Sequence, residues 1–210
     1  MLEFTLFRIP VRVEPIFWIT LGLIGFLDNQ RGPSDQLLLK MALFVMAGFI
    51  SILIHELGHA LMIKKYKLPT QIVLSSFGGY ATHPAGILSR SQSFLVTLAG
   101  PLLQLILGLA VYFSMPHLML PDTLIWYFVR TLAGVSIFWA ILNCIPILPM
   151  DGGRMLEAAL GPRRIKLTLT ISTLVAVVCS IIGFMIGSIL IGIFMAMFAF
   201  QNYQTLERFK

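Results

Sequence analysis

His55 and His59 stand four residues apart in the run His55-Glu56-Leu57-Gly58-His59. On an α-helix that spacing puts both imidazoles on one face, one turn apart. Two imidazoles so placed can ligate one zinc ion. A glutamate beside the first can take a proton from a water polarised there. The plainer alternative is that the two histidines make polar contacts between helices. The complete H-E-x-x-H pattern at the end of an apolar stretch speaks against it, because ionisable groups at membrane depth are costly.

Catalytic zinc usually takes three protein ligands and keeps a fourth position open. Of the nine acids in the chain, only Glu56 and Asp151 fall in membrane-depth sequence. Asp151 is therefore the expected third ligand. It lies in the segment Asn143 to Arg154, where Pro146 and Pro149 break a helix and Gly152 and Gly153 let the backbone approach closely. Two neutral imidazoles, one carboxylate and one hydroxide would neutralise Zn²⁺, which suits a low-dielectric site. The competing role for Asp151 is a helix N-cap for residues 152–160, worth about 1 kcal/mol. One side chain can do both.

These residues need a scaffold, and composition defines it. The chain has 210 residues, 58% of them hydrophobic and only 11% charged. Its mean hydropathy is +0.90. So few charges cannot cover a water-soluble domain of this size. A soluble enzyme, a disordered chain and a disulfide scaffold are excluded, and a polytopic membrane protein remains. Cys144 and Cys179 lie in apolar surroundings and read as buried free thiols.

Apolar runs cover residues 16–27, 37–63, 94–113 and 124–142, with Pro101 a kink in the third. The first is short for a span and must borrow flanking residues. A cleaved signal peptide is a weaker reading, because Asp28-Asn29-Gln30-Arg31 offers no small-residue cleavage site. The last run, Thr168 to Phe200, holds 33 residues without a charge. One helix of that length would reach roughly 50 Å across a core of about 30 Å. Two helices turning near residues 183–188 fit better.

Six spans with a cytoplasmic N-terminus place 12 of the 15 basic residues on the cytoplasmic side. Only Arg31 and Lys40 then lie outside, and Arg130 falls within span four. This is a positive-inside pattern. It accounts for the net charge of +6 without a nucleic-acid partner. Between spans two and three, residues 71–84 read as a β-hairpin, and residues 4–13 as a short extended segment at the membrane surface. A strand edge is tolerated at such depth only where protein or water covers it. The expected fold is an all-α polytopic membrane protein with about six transmembrane helices and a small interfacial β-hairpin, forming one domain over residues 1–210.

Taken together, the sequence resembles the site-2 protease family of intramembrane zinc metalloproteases. The resemblance rests on His55-Glu56-Leu57-Gly58-His59, Phe77-Gly78-Gly79, Ala99-Gly100-Pro101, and Asn143 to Gly153 in the pattern N-x-x-P-x-x-P-x-D-G-G. It implies His55, His59 and Asp151 as ligands of one zinc ion, with Glu56 as the catalytic base. It also implies that Asn143 holds the substrate backbone or the developing oxyanion. The site would lie inside a cell membrane near its cytoplasmic face. It would hydrolyse the transmembrane segment of a membrane-anchored protein, releasing a regulatory fragment or clearing a signal-peptide remnant. Two departures stand out: Gln104 where many relatives have Asn, and Glu14 where some have His. No room is expected for a PDZ or CBS domain.

Two other classes use the same residues. A metal or ion transporter would stage polar groups along several helices, whereas here they cluster at one depth. A catalytically idle membrane-binding protein would be expected to have lost Glu56 or a ligand. His83 and His117 have no ligand-spaced partner and read as loop residues. Arg130, six residues past Leu124, is expected to snorkel to the interface. Oligomeric state is not legible.

Overall fold

In the computed structural model, residues 1–29, 36–76, 78–118 and 123–209 are described. Arg31, Phe77 and Lys210, which figure in the charge pattern and the Phe-Gly-Gly motif, lie outside them. The described chain forms two compact units, one of residues Met1–Ala85 and Ala99–Ile141, the other of Gly86–Leu98 and Leu142–Lys210.

The first unit opens with strands β1 (Leu2–Leu6) and β2 (Ile9–Val13), paired antiparallel. Phe7 and Arg8 make the turn between them with positive φ. Helix α1 (Pro15–Asn29) follows, with proline in the first-turn position that tolerates it. Helix α2 (Leu37–Lys65) is 29 residues long. Strands β3 (Gln71–Ser75) and β4 (Gly78–Thr82) then form the expected hairpin. The N-terminal segment is more than a surface anchor, because β2 pairs in parallel with β3. The sheet order is β1-β2-β3-β4. Along β2, residues Ile9, Val11 and Val13 alternate inward. They join Ile72, Leu74, Phe17, Leu21, Ile52, Leu57 and Ala60 in one core. The Lys64 ammonium donates to the Phe7 carbonyl at 2.7 Å, fixing the β1–β2 turn to the end of α2. Helices α3 (Arg90–Ser114) and α4 (Leu124–Asn143) supply most of their length to this unit. Pro101 sits inside α3 and the helix continues through it.

In the second unit, α5 (Asp151–Leu160) follows the proline-rich loop, and α6 (Ile165–Met185) and α7 (Ile189–Glu207) form a helical hairpin. The turn falls where expected. Gly187 has φ +76°, and the Ser188 amide donates to the Gly183 carbonyl at 2.8 Å. Gly183 and Gly192 let the two helices touch backbone to backbone, and the Ser180 hydroxyl donates to the Gly192 carbonyl at 2.8 Å. Ile147, Ala176, Met195 and Ala199 form the core. Arg90 donates from Nε to the Ala158 carbonyl at 3.0 Å and from Nη2 to Ala159, satisfying carbonyls at the C-terminal end of α5.

Among the described residues, five helices are long and apolar enough to cross a membrane: α2, α3, α4, α6 and α7. The chain is an integral membrane protein. The expected first span is the apolar helix α1, which extends the run 16–27 only by Pro15, Asp28 and Asn29; its 15 residues reach about 22 Å, and it is shorter than the five. The cysteines are free, but Cys144 is exposed and Cys179 half-buried, so the expected burial does not hold. Cys144 lies in the loop after α4.

Candidate active site

In the first unit, α2 presents His55, Glu56 and His59, all buried in a helix of otherwise apolar character. The Nε2 atoms of His55 and His59 face each other at 3.1 Å. Their rings stand nearly edge to face, with centroids 4.8 Å apart. That is what i, i+4 geometry predicts for two rings turned to a common point. The other nitrogen of His55, Nδ1, lies 2.9 Å from Gln104 Oε1 on α3. Gln104 is fully buried and donates through Nε2 to the Ser51 hydroxyl at 2.8 Å. Ser136 on α4 donates to the same hydroxyl at 3.0 Å.

Three glycines are required by close approach to this helix. A Cβ on Gly58 would lie 2.3 Å from the Ala99 carbonyl oxygen, so α2 and α3 meet through bare backbone. A Cβ on Gly100 would lie 2.3 Å from His59 Nε2. A Cβ on Gly79 would lie 2.8 Å from Glu56 Cγ, which brings β4 against the glutamate. Gly100→Ala is therefore expected to destabilise the chain by about 1–3 kcal/mol through overpacking, because the His59 ring cannot yield without turning from His55. Gly134→Ala is the control, since a Cβ there meets nothing within 4 Å. Thermal unfolding in detergent checks this: equal midpoints for both variants would show that α3 yields without cost.

In the second unit, Asp151 is the first residue of α5 and is buried. Met150, in extended conformation, occupies the cap position, and no side chain caps the helix there. The capping role weighed for Asp151 is thus not the one it plays. A Cβ on Gly152 would lie 2.2 Å from the Ile145 carbonyl oxygen, and one on Gly153 2.4 Å from the Leu148 nitrogen, so both glycines let α5 close onto the preceding loop. The loop is held from behind. The Leu148 amide donates to Ser172 Oγ at 3.2 Å, and Asn202 Nδ2 donates to the Leu148 carbonyl at 2.7 Å.

The first unit thus offers the imidazole nitrogens of His55 and His59, and the second the buried carboxylate of Asp151. Two imidazole nitrogens and a carboxylate oxygen are also a fitting donor set for zinc.

A family model matches residues 117–190, and that stretch contains the whole Asn143 to Gly153 pattern; its description is peptidase family M50. Among similar proteins, a putative zinc metalloprotease of Synechocystis sp. is 30% identical over 165 residues, covering 73% of this chain and 42% of that protein. A zinc metalloprotease of Methanocaldococcus jannaschii is 29% identical over 163 residues, covering 76% of this chain and 45% of that protein. The chain thus spans less than half the length of these two. The putative zinc metalloprotease Rip2 of Mycobacterium tuberculosis is 28% identical, with 74% of each chain covered. The fold is shared with a solved site-2 protease from Methanocaldococcus jannaschii, at a TM-score of 0.68 over 97% of this chain and 94% of that one, with 24% identity.

The remaining residues singled out in the sequence find their places. Asn143 ends α4 and is half-buried. His83 is exposed and its Nδ1 meets the Pro84 carbonyl at 3.0 Å, while His117 is exposed after α3. His83 is a loop residue, as expected, whereas His117 ends a short 3-10 helix, Met115–His117. Arg130 is exposed on α4. Glu14 accepts a hydrogen bond from the Ser75 hydroxyl at 2.6 Å, joining the end of β2 to β3. Sequence reasoning missed Ser51 and Ser136, and singled out Gln104 only as a departure from relatives. Their signal was present: three polar side chains at mid-span, one of them a helical turn before His55.

Proposed function

We propose that this chain is a zinc-dependent intramembrane endopeptidase that cuts membrane-anchored protein substrates in or near their transmembrane segment. Residues 1–210 act as one catalytic core. The observation that carries the reading is the pair of imidazole nitrogens facing each other 3.1 Å apart, beside buried Glu56, in a helix long enough to cross a membrane. The names of the relatives, zinc metalloproteases, support the same reading.

His55, His59 and Asp151 would hold one zinc ion. When bound, zinc supplies Lewis acidity toward a water and the scissile carbonyl. Glu56 takes the proton of the attacking water and later delivers it to the leaving amine. Asn143 donates its amide to the carbonyl oxygen as negative charge develops there. A helical substrate hides its carbonyls in hydrogen bonds, so the cut segment must first unwind. Strand β4 is at the edge of the sheet and passes against Glu56 at Gly79. An extended substrate segment added to that edge would be presented to the glutamate. The basic residues Lys64, Lys65, Lys67, Arg90, Arg163 and Arg164 support a cytoplasmic N-terminus and a site near the cytoplasmic face of the cell membrane.

The test uses the purified chain in proteoliposomes with a panel of single-span substrates. A strong zinc chelator should stop cleavage, and added zinc should restore it. Cleavage undiminished in metal-free protein would overturn the reading.

A further inference from the structure

His55 can ligate a metal through Nε2 only if that nitrogen carries its lone pair. The proton must then sit on Nδ1. Nothing in the His-x-x-x-His spacing decides this, because a free imidazole populates both tautomers. The environment of Nδ1 decides it. Its partner is Gln104 Oε1 at 2.9 Å, and a carbonyl oxygen can only accept. A flipped amide would turn NH₂ toward Nδ1 and force the proton onto Nε2. In the structure the carbonyl faces His55, and the NH₂ on the far side of the amide has a partner of its own. Gln104 Nε2 donates to Ser51 Oγ at 2.8 Å, and Ser136 donates to the same oxygen at 3.0 Å. Ser51, Gln104 and Ser136 are each fully buried, so water cannot stand in for any of them.

We propose that Gln104, braced by Ser51 and Ser136, is a positioning residue that holds His55 with its proton on Nδ1 and its Nε2 lone pair turned toward His59 and the metal. This rests on the zinc reading above. It also gives Gln104 a task that does not involve substrate contact. Three helices contribute: α2 supplies Ser51 and His55, α3 supplies Gln104, and α4 supplies Ser136. The ligand is thus oriented before the metal arrives.

The test measures two things in detergent-purified full-length chain. One is the nitrogen-15 NMR signature of the metal-free histidines, assigned by a His55→Asn control. The other is zinc affinity by competition with a chromophoric chelator. Wild type should show His55 protonated on Nδ1. Gln104→Leu should lose that single tautomer and bind zinc about 10- to 100-fold more weakly, the usual cost of losing an outer partner. Gln104→Glu keeps an acceptor toward Nδ1 and should restore both the tautomer and zinc affinity to within a few-fold of wild type. A metal-free wild type protonated on Nε2, or Gln104→Leu with wild-type zinc affinity, would overturn the proposal. If Gln104→Leu does not fold, failure of Gln104→Glu to keep the Nδ1-protonated form overturns it equally. Wild type with the expected tautomer but no zinc binding would uphold the positioning role and sink the zinc reading instead.

Discussion

Glu56→Gln is expected to abolish measurable cleavage while leaving zinc content and fold intact. Glutamine matches glutamate in size but cannot accept a proton at neutral pH. A positioned general base contributes about 10²- to 10⁴-fold, and the variant should lose a factor in that range. Glu56 is buried at the level of His55 and His59, and the Gly79 backbone passes against its stem. An amide of equal volume therefore fits the space. The measurement is cleavage of a co-expressed single-span substrate by wild type and variant, with zinc per chain determined on both. Equal cleavage would remove the glutamate from the mechanism and sink the assignment. Lost cleavage with lost zinc would show that Glu56 supports the metal and would end its role as a base alone.

Asp151→Ala should give the second large effect, and it should appear in the metal first. The zinc content of the purified variant should fall well below one per chain. Its affinity should drop by more than the roughly 10- to 100-fold that an outer partner costs. A ligand carboxylate carries both a bond and a compensating charge, and water in its place supplies only the first. The fold should survive. Asp151 does not cap α5, and the loop before it is held by Ser172 and Asn202 through backbone atoms of Leu148. Helical circular dichroism close to wild type, with zinc lost, is the expected pair of results. Full zinc occupancy would move the third ligand elsewhere.

The parts of this protein that were legible in its sequence are those with a local cause. Periodicity placed His55 and His59 on one face of α2, because the helix itself sets that spacing. Absence of charge over residues 168–200 together with glycines at 183 and 187 located the α6–α7 turn. What was not legible depends on residues far apart in the chain. The parallel pairing of β2 with β3 is separated by α1 and α2, and no local pattern announces it. Without it, residues 4–13 read only as an extended segment at the membrane surface. Gln104 looked like a departure from the pattern of relatives; its contact with His55 exists only because α3 crosses α2 at Gly58 and Gly100. The same crossing explains why the Ala-Gly-Pro piece, weak as a motif, is strict as geometry.

The edge position of β4 bears on a supply problem. Peptide hydrolysis consumes a water molecule, and hydrocarbon holds almost none. An outer strand edge is a row of amides and carbonyls that cannot stay dry. In the proposed hydrolysis, this edge, lying against Glu56 at Gly79, would offer a water-compatible approach to the glutamate.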